Sequence, residues 1–113
     1  MWTVLMNKDV PLDIEKLVFD KIDKGVAGSS LCLENRKLGD DGVLKLSNLE
    51  ILSEVICLEL GENNISDEGV RTLCNSPYIE NLKTLNLKSN NITELGAKSL
   101  ANSPKLKKLE HLI

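Results

Sequence analysis

Residues 81–104 read NLKTLNLKSNNITELGAKSLANSP, with leucines at Leu82, Leu85 and Leu87 followed by Asn90 and Ile92. That spacing fits neither an amphipathic helix nor an alternating strand for more than a few residues. The stretch VICLELGENNISDEGVRTLCNSP, residues 55–77, superposes on it without a gap at an offset of 27 residues. Leu58 falls on Leu85, Leu60 on Leu87, Asn63 on Asn90 and Ile65 on Ile92. The match continues through Gly69 on Gly96, Leu73 on Leu100, and Asn75, Ser76 and Pro77 on Asn102, Ser103 and Pro104. One step further back, LCLENRKLGDDGVLKL supplies Leu31, Leu33, Leu38, Gly42 and Leu46 at the same places. One step forward from Leu82 and Leu85 reaches Leu109 and Leu112. A fixed period held over more than three copies predicts stacked repeats, each too small to bury its apolar face alone.

Bulk properties narrow the function classes. At 113 residues and 42% apolar content the chain has the size of one ordinary globular domain. A net charge of -3 gives no electrostatic case for nucleic acid or an anionic membrane as partner. Aromatic content of 3% supplies no base-stacking platform. No apolar run approaches the roughly 18–20 residues that cross a bilayer. The opening MWTVLMNKDVPLDIEKL meets acidic residues too early for a secretory leader. Three cysteines without paired spacing favour a reducing compartment over a disulfide framework. The expectation is an intracellular, cytoplasmic protein.

Each position of the repeat has a physical cause. In TLNL and CLEL the leucines alternate with polar residues, so Leu85 and Leu87 point inward while Thr84, Asn86 and Lys88 point out. Asn63 and Asn90 end the strands where the backbone turns. Their amides can both donate to and accept from main-chain groups of neighbouring coils, forming a structural ladder. Ser66 and Thr93 stand where a helix N-cap belongs, and the acidic Asp67, Glu68 and Glu94 that follow favour the positive end of the helix dipole. Gly69 and Gly96 fall in the first helical turn, where a Cβ would hinder close approach to the strand layer. Leu73 and Leu100 face the core, followed by the small Cys74 and Ala101. Pro77 and Pro104 stop the helices.

The pattern L-x-x-L-x-L-x-x-N-x-L resembles that of leucine-rich-repeat proteins, and in particular the ribonuclease-inhibitor-like class. The resemblance covers residues 28–113. It implies an α/β solenoid: a short curved parallel sheet on the concave side, helices on the convex side, and repeats at 28–54, 55–81, 82–108 and a partial one at 109–113. It also implies a non-enzymatic role in which the concave face binds a protein.

The first repeat departs from the pattern. Arg36 replaces the ladder Asn, Gly28 the first leucine, and Glu50 the proline, so the helix here is expected to run on to about Ser53. Upstream, DVPLDIEKLVFDKIDKG offers an Asp9 cap, an early Pro11 and apolar Ile14, Leu17, Val18 and Ile22 at helical spacing. Val4, Met6 and Phe19 fall one period before Leu31, Leu33 and Leu46. Residues 1–27 therefore read as a degenerate strand-helix unit, an N-terminal helical cap.

Little in the sequence supports catalysis, and no catalytic residue, metal or cofactor is assigned. The seven glycines are scattered rather than gathered in a phosphate loop, and the lone His111 cannot anchor a triad or metal cluster. Cys32 and Cys57 project from adjacent strands onto one face, offset by two positions, so roughly 8 Å apart. That is beyond the roughly 7 Å reach of an unstrained disulfide. Cys74, beside Leu73, reads as a small core residue. Asn64-Ile65-Ser66 and Asn91-Ile92-Thr93 match the glycosylation pattern, but both fall out of the repeat consensus. One enzymatic alternative remains, a GTPase-activating regulator. Ribonuclease-inhibitor-like repeats build such proteins for the small GTPase Ran with a loop arginine, and Arg36 stands on such a loop.

The outward strand positions are the candidate partner-binding residues. Their columns run Ser30, Cys57, Thr84, His111; then Cys32, Glu59, Asn86, Ile113; then Glu34, Gly61, Lys88, with Asn35, Glu62 and Ser89 at the rim. Early coils are acidic and the last full one basic. No aromatic anchor lies on the strip, since Trp2 and Tyr78 fall elsewhere. Four or five strands about 4.8 Å apart, each showing about five residues, cover on the order of 300 Å². A standard interface needs roughly 800 Å² per partner, so adjoining loops must contribute. The closing KKLEHLI opens a fourth strand without a helix to cover Leu109, Leu112 and Ile113. Such an edge invites pairing with another copy, a homo-oligomer through residues 109–113, or with the remainder of a longer array.

Overall fold

The computed structural model describes residues 13–113. Trp2, Val4, Met6, Asp9 and Pro11 lie outside them. In chain order the elements are helix α1 (Ile14–Lys21), strand β1 (Ile22–Lys24), strand β2 (Ser29–Cys32), helix α2 (Gly39–Ser47) and a 3₁₀ turn (Glu50–Glu54). Then follow β3 (Val55–Glu59), α3 (Asp67–Cys74), β4 (Thr84–Asn86), α4 (Glu94–Ala101) and β5 (His111–Leu112).

All five strands form one sheet in the order β1-β2-β3-β4-β5. From β2 onward every pairing is parallel, and the register equals the sequence period: Leu31 pairs Leu58, Leu58 pairs Leu85, and Leu85 pairs Leu112. Parallel neighbours need a crossover, which α2, α3 and α4 supply. Leu31, Leu33, Leu58, Leu60, Leu85 and Leu87 are buried against Val43, Leu46, Val70, Leu73 and Leu100 in one aliphatic core. Leu52, Ile79 and Leu106 also recur at this period and are buried in the returning segments.

The described part of the N-terminal unit contains the expected helix and adds a strand that the repeat pattern does not have. β1 runs antiparallel to β2, with Ile22 opposite Leu31, through a tight Gly25–Gly28 turn. A Cβ on Gly28 would come within 2.5 Å of Ile56 Cγ2, so the turn can lie against β3 only with glycine there. α1 is capped by Asp13, whose carboxylate accepts the Lys16 N–H. Ile14 and Val18 are buried, whereas Phe19, aligned by period with Leu46, is 61% exposed. The buried stripe of this helix thus falls one residue away from the repeat position.

Helix starts follow the sequence reading. Ser66 and Thr93 are N-caps, their hydroxyls accepting the N–H groups of Glu68 and Leu95. Helix ends do not. Helix α2 stops at Ser47 rather than near Ser53, and it does so without a proline. Asn48, Asn75 and Asn102 occupy the C-cap at the same repeat position, each with ψ near zero (1°, −2° and 5°). The residue after each of them donates back to the carbonyl three positions earlier, at Leu46, Leu73 or Leu100. The asparagine turn is common to all three coils, and Pro77 and Pro104 lie beyond it. Ala101 is exposed while its counterpart Cys74 is buried.

Gly69 and Gly96 permit close approach, though to the preceding coil's helix start and not only to the strand layer. A Cβ on Gly69 would collide with Asp40 Oδ1 and meet Ile65 Cγ2 at 2.7 Å. On Gly96 it would meet Asp67 Oδ1 at 2.5 Å and Ile92 Cγ2 at 2.6 Å.

Candidate partner-binding face

Strand alternation turns one side chain in two away from the helices. Ser30, Cys57, Thr84 and His111 stand opposite one another across four parallel strands. Cys32, Glu59 and Asn86 form the next row. Ser30, Cys32, Glu34, Glu62, Lys88 and His111 are exposed; Cys57, Glu59, Thr84 and Asn86, flanked by strands on both sides, are half-buried. Ile113 is 59% exposed.

Parallel hydrogen bonding continues past the strand ends and fixes the rim. Leu33 and Asn35 N–H donate to Glu59 and Gly61 carbonyls, and Leu60 and Glu62 N–H to Asn86 and Lys88 carbonyls. Asn35, Glu62 and Ser89 then adopt left-handed backbone, with φ of 55°, 55° and 60°. This conformation strains a residue carrying a Cβ. It turns each chain sharply from strand to helix.

Polar groups on the face are joined to each other. The Asn86 amide donates to Glu59 Oε1 (3.2 Å), and Asn86 Oδ1 accepts the Lys88 N–H (2.9 Å). The Glu34 side chain lies across Gly61, where a Cβ would approach Glu34 Oε1 to 3.3 Å. Cys57 Sγ lies 3.9 Å from Glu59 Oε2. Burial, and then the negative charge of Glu59, push the Cys57 thiol above its ordinary pKa. A protonated thiol is a poor nucleophile. All three cysteines are free, and burial likewise raises the Cys74 thiol.

Behind this face Asn63 is 1% exposed. Its amide donates to the Leu33, Leu60 and Gly61 carbonyls (2.8, 3.1 and 3.1 Å). Its Oδ1 accepts from Arg36 and Leu38 N–H. Asn90 repeats the arrangement one coil on, donating to Leu60 and Leu87 carbonyls and accepting from Asn63 and Ile65 N–H. Arg36 itself is exposed on the loop after β2.

A second set of inter-coil bonds was not anticipated. Asp40 accepts both the N–H and the hydroxyl of Ser66, and Asp67 both the N–H and the hydroxyl of Thr93. The hydroxyl of Thr93, then its N–H, hold the Asp67 carboxyl below the usual carboxylate range. The recurrence of Asp40, Asp67 and Glu94 at the repeat period was the available signal; read one coil at a time, these acids look like dipole partners only.

Where the strands begin, an open cleft of about 560 Å³ is lined by the Gly25–Gly28 turn, Ser53, Glu54, Ile56, Asn81 and three lysines, Lys24, Lys83 and Lys108. Lys108 Nζ donates to Asn81 Oδ1 at 2.8 Å. Sequence reading missed this cleft because Lys24 belongs to the N-terminal unit while Lys83 and Lys108 stand at opposite ends of the coil at 82–108. Among the described residues no group of three or more His, Cys, Asp or Glu is placed to hold a metal ion. No described helix is long and apolar enough to cross a membrane.

Residues 55–74 and 78–101 match the family model described as Leucine Rich repeat. These two matched segments are leucine-rich repeats, and strand pairing at the same period extends to β2 on one side and β5 on the other. No curated protein and no solved structure gave a significant match to the chain.

Proposed function

We propose that these repeats form a non-enzymatic, intracellular module of the ribonuclease-inhibitor-like class that grips a protein partner on the open face of its sheet. The observation that carries this reading is the alignment of outward side chains. Ser30, Cys57, Thr84 and His111 form one unbroken row, with Cys32, Glu59 and Asn86 beside it. Helices pack about 8–10 Å apart while strands pair about 4.8 Å apart. Stacking the two layers in register therefore bends the array toward its sheet and makes that face concave.

The strip is small, and the lysine cleft and the Glu34–Glu62 rim enlarge it from either end of the strands. A partner suited to it carries basic groups toward Glu34, Glu59 and Glu62, and an acidic group toward Lys24, Lys83 and Lys108. Leucine-rich repeats commonly serve as interaction modules.

The test is affinity capture from native lysate with the wild-type chain and with a Glu59→Lys/Lys88→Glu double variant of unchanged circular dichroism. Partners that are captured by the former and lost by the latter support the reading. Equal capture by both sinks it. Stimulated GTP hydrolysis that vanishes in Arg36→Ala would establish the GTPase-regulator alternative instead.

A further inference from the structure

The cleft where the strands begin reverses the sign of the molecule. The chain carries a net charge of -3, yet Lys24, Lys83 and Lys108 line this cleft against the single carboxylate of Glu54. Glu110 stands one strand on from Lys83 but is exposed and does not line the cleft. Among the described residues the one ion pair joins Arg71 to Glu68 on α3, so none of the three lysines has a carboxylate partner there. Cations gathered in a concave site without counter-charges raise the local concentration of anions.

The cleft is built rather than incidental. Lys108 Nζ donates to Asn81 Oδ1 at 2.8 Å, and Asn81 Nδ2 donates to the Ser53 carbonyl at 2.7 Å. This relay crosses three coils and holds the Lys108 ammonium at the cleft with further N–H groups to give. The facing wall is the Gly25–Gly28 turn, held against β3 because only glycine at position 28 leaves room for Ile56. Turn tips usually carry Gly, Asn, Asp or Ser. This one carries Val26 and Ala27, both exposed, beside the half-buried Ile56. Apolar surface thus lies between the cations.

Spacing selects the ligand. Lys24 ends β1 and Lys83 precedes β4, three strand spacings away, or about 14 Å. An extended chain rising about 3.3 Å per residue covers that distance in about four residues. No arginine lines the cleft, so the planar fork that grips phosphate is missing, and separate ammonium groups suit separate carboxylates. A volume of about 560 Å³ is that of a ligand site.

We infer that this cleft docks an extended acidic segment of a partner protein, with carboxylates about four residues apart and apolar side chains between them. The outer carboxylates meet Lys24 at one end and Lys83 and Lys108 at the other, and the apolar centre rests on Val26 and Ile56. The inference rests on the reading of the repeats as a protein-binding module, and it names what the partner presents at the strand starts.

The probe is the end-blocked peptide Asp-Asp-Leu-Val-Asp-Asp, titrated into the ¹⁵N-labelled full chain. Amide shifts are expected at Val26, Ala27, Ile56 and Lys83, with Glu59, Asn86 and Lys88 unmoved. Exposed ion pairs are individually weak, so one Lys→Gln change should weaken binding about threefold and the triple Lys24→Gln/Lys83→Gln/Lys108→Gln variant at least about tenfold. Val26→Ser, which keeps every charge, should weaken it about threefold. The Glu59→Lys/Lys88→Glu variant should bind the peptide as the wild type does, which separates failure of the cleft from failure of the open face. Equal binding of the Asn-Asn-Leu-Val-Asn-Asn peptide overturns the inference, as does full affinity in a triple variant of unchanged circular dichroism. So do shifts on the open face, or no shifts at millimolar peptide. Inorganic phosphate that binds the same lysines more tightly than the peptide would assign the cleft to a phosphate-bearing ligand instead.

Discussion

The coil at 55–81 and the coil at 82–108 share their sequence pattern and differ in their surroundings. Leu60 and Leu87 are 0% and 7% exposed, Leu73 and Leu100 2% and 8%, and Ile65 is buried where Ile92 is only half-buried. Asn63 is enclosed, whereas Asn90 is partly open. The same residue type in the same local conformation thus buries less wherever the neighbour on its far side is missing. A coil's stability is a property of the pair it forms, as expected for an array in which each unit touches only the next.

The largest expected effects come from the aliphatic layer. Leu60→Ala should cost about 3–4 kcal/mol and Leu87→Ala about 1 kcal/mol less, because the terminal cavity opens to solvent and can collapse. Urea denaturation measures both, and equal losses would break the comparison. Asn63→Ala should cost about 3 kcal/mol by stranding buried carbonyls and N–H groups on both sides, against about 1–2 kcal/mol for Asn90→Ala. A larger loss at Asn90 would mean that the end of the array is more tightly held than its burial indicates.

A smaller effect is expected at Asp67, which bridges the two coils. Its carboxyl is held below the ordinary value of 3.8 by Thr93 and Gly96. A depressed pKa in the fold contributes stability that is present above the unfolded value and lost as pH falls through the folded one. Asp67→Asn should therefore destabilise at pH 7 by less than Asn90→Ala, and should flatten the acid limb of stability below about pH 4. An unchanged acid limb would remove Asp67 from the junction. Smallest of all, Glu62→Gly and Ser89→Gly should each raise stability by about 0.5–1 kcal/mol by relieving left-handed backbone. Backbone strain is local, so here the two coils should respond alike. A gain at one position only would show that neighbours act on the turn as well.

The period made most of the architecture legible. Leu58 over Leu85 fixes a parallel register, and Ser66 and Thr93 fix where the helices begin. Three features escaped for physical reasons. The antiparallel β1 belongs to a unit outside the period, so alignment of Phe19 with Leu46 carried no spatial meaning. The helix stop at Asn48 was hidden because proline, the stronger breaker, drew attention two residues further on in the other coils. The lysine cleft joins Lys24 of the N-terminal unit to Lys83 and Lys108 at opposite ends of one coil, a proximity no single coil displays. On the open sheet face, the rows were readable from the register, but the tie between Asn86 and Glu59 depends on side-chain conformation.

The β1–β2 hairpin sets an order of events in folding. Its partners are separated by 5 to 9 residues, from Lys24–Ser29 to Ile22–Leu31, whereas the later strand pairs must close 26 or 27. By loop-closure entropy the longer closure costs about 1 kcal/mol more. The hairpin is thus the least demanding part of the sheet to form, and each later coil can settle on one already in place. Amide hydrogen exchange should run in the reverse sense, fastest at His111 and slowing toward Leu31 as each successive layer must peel before the next.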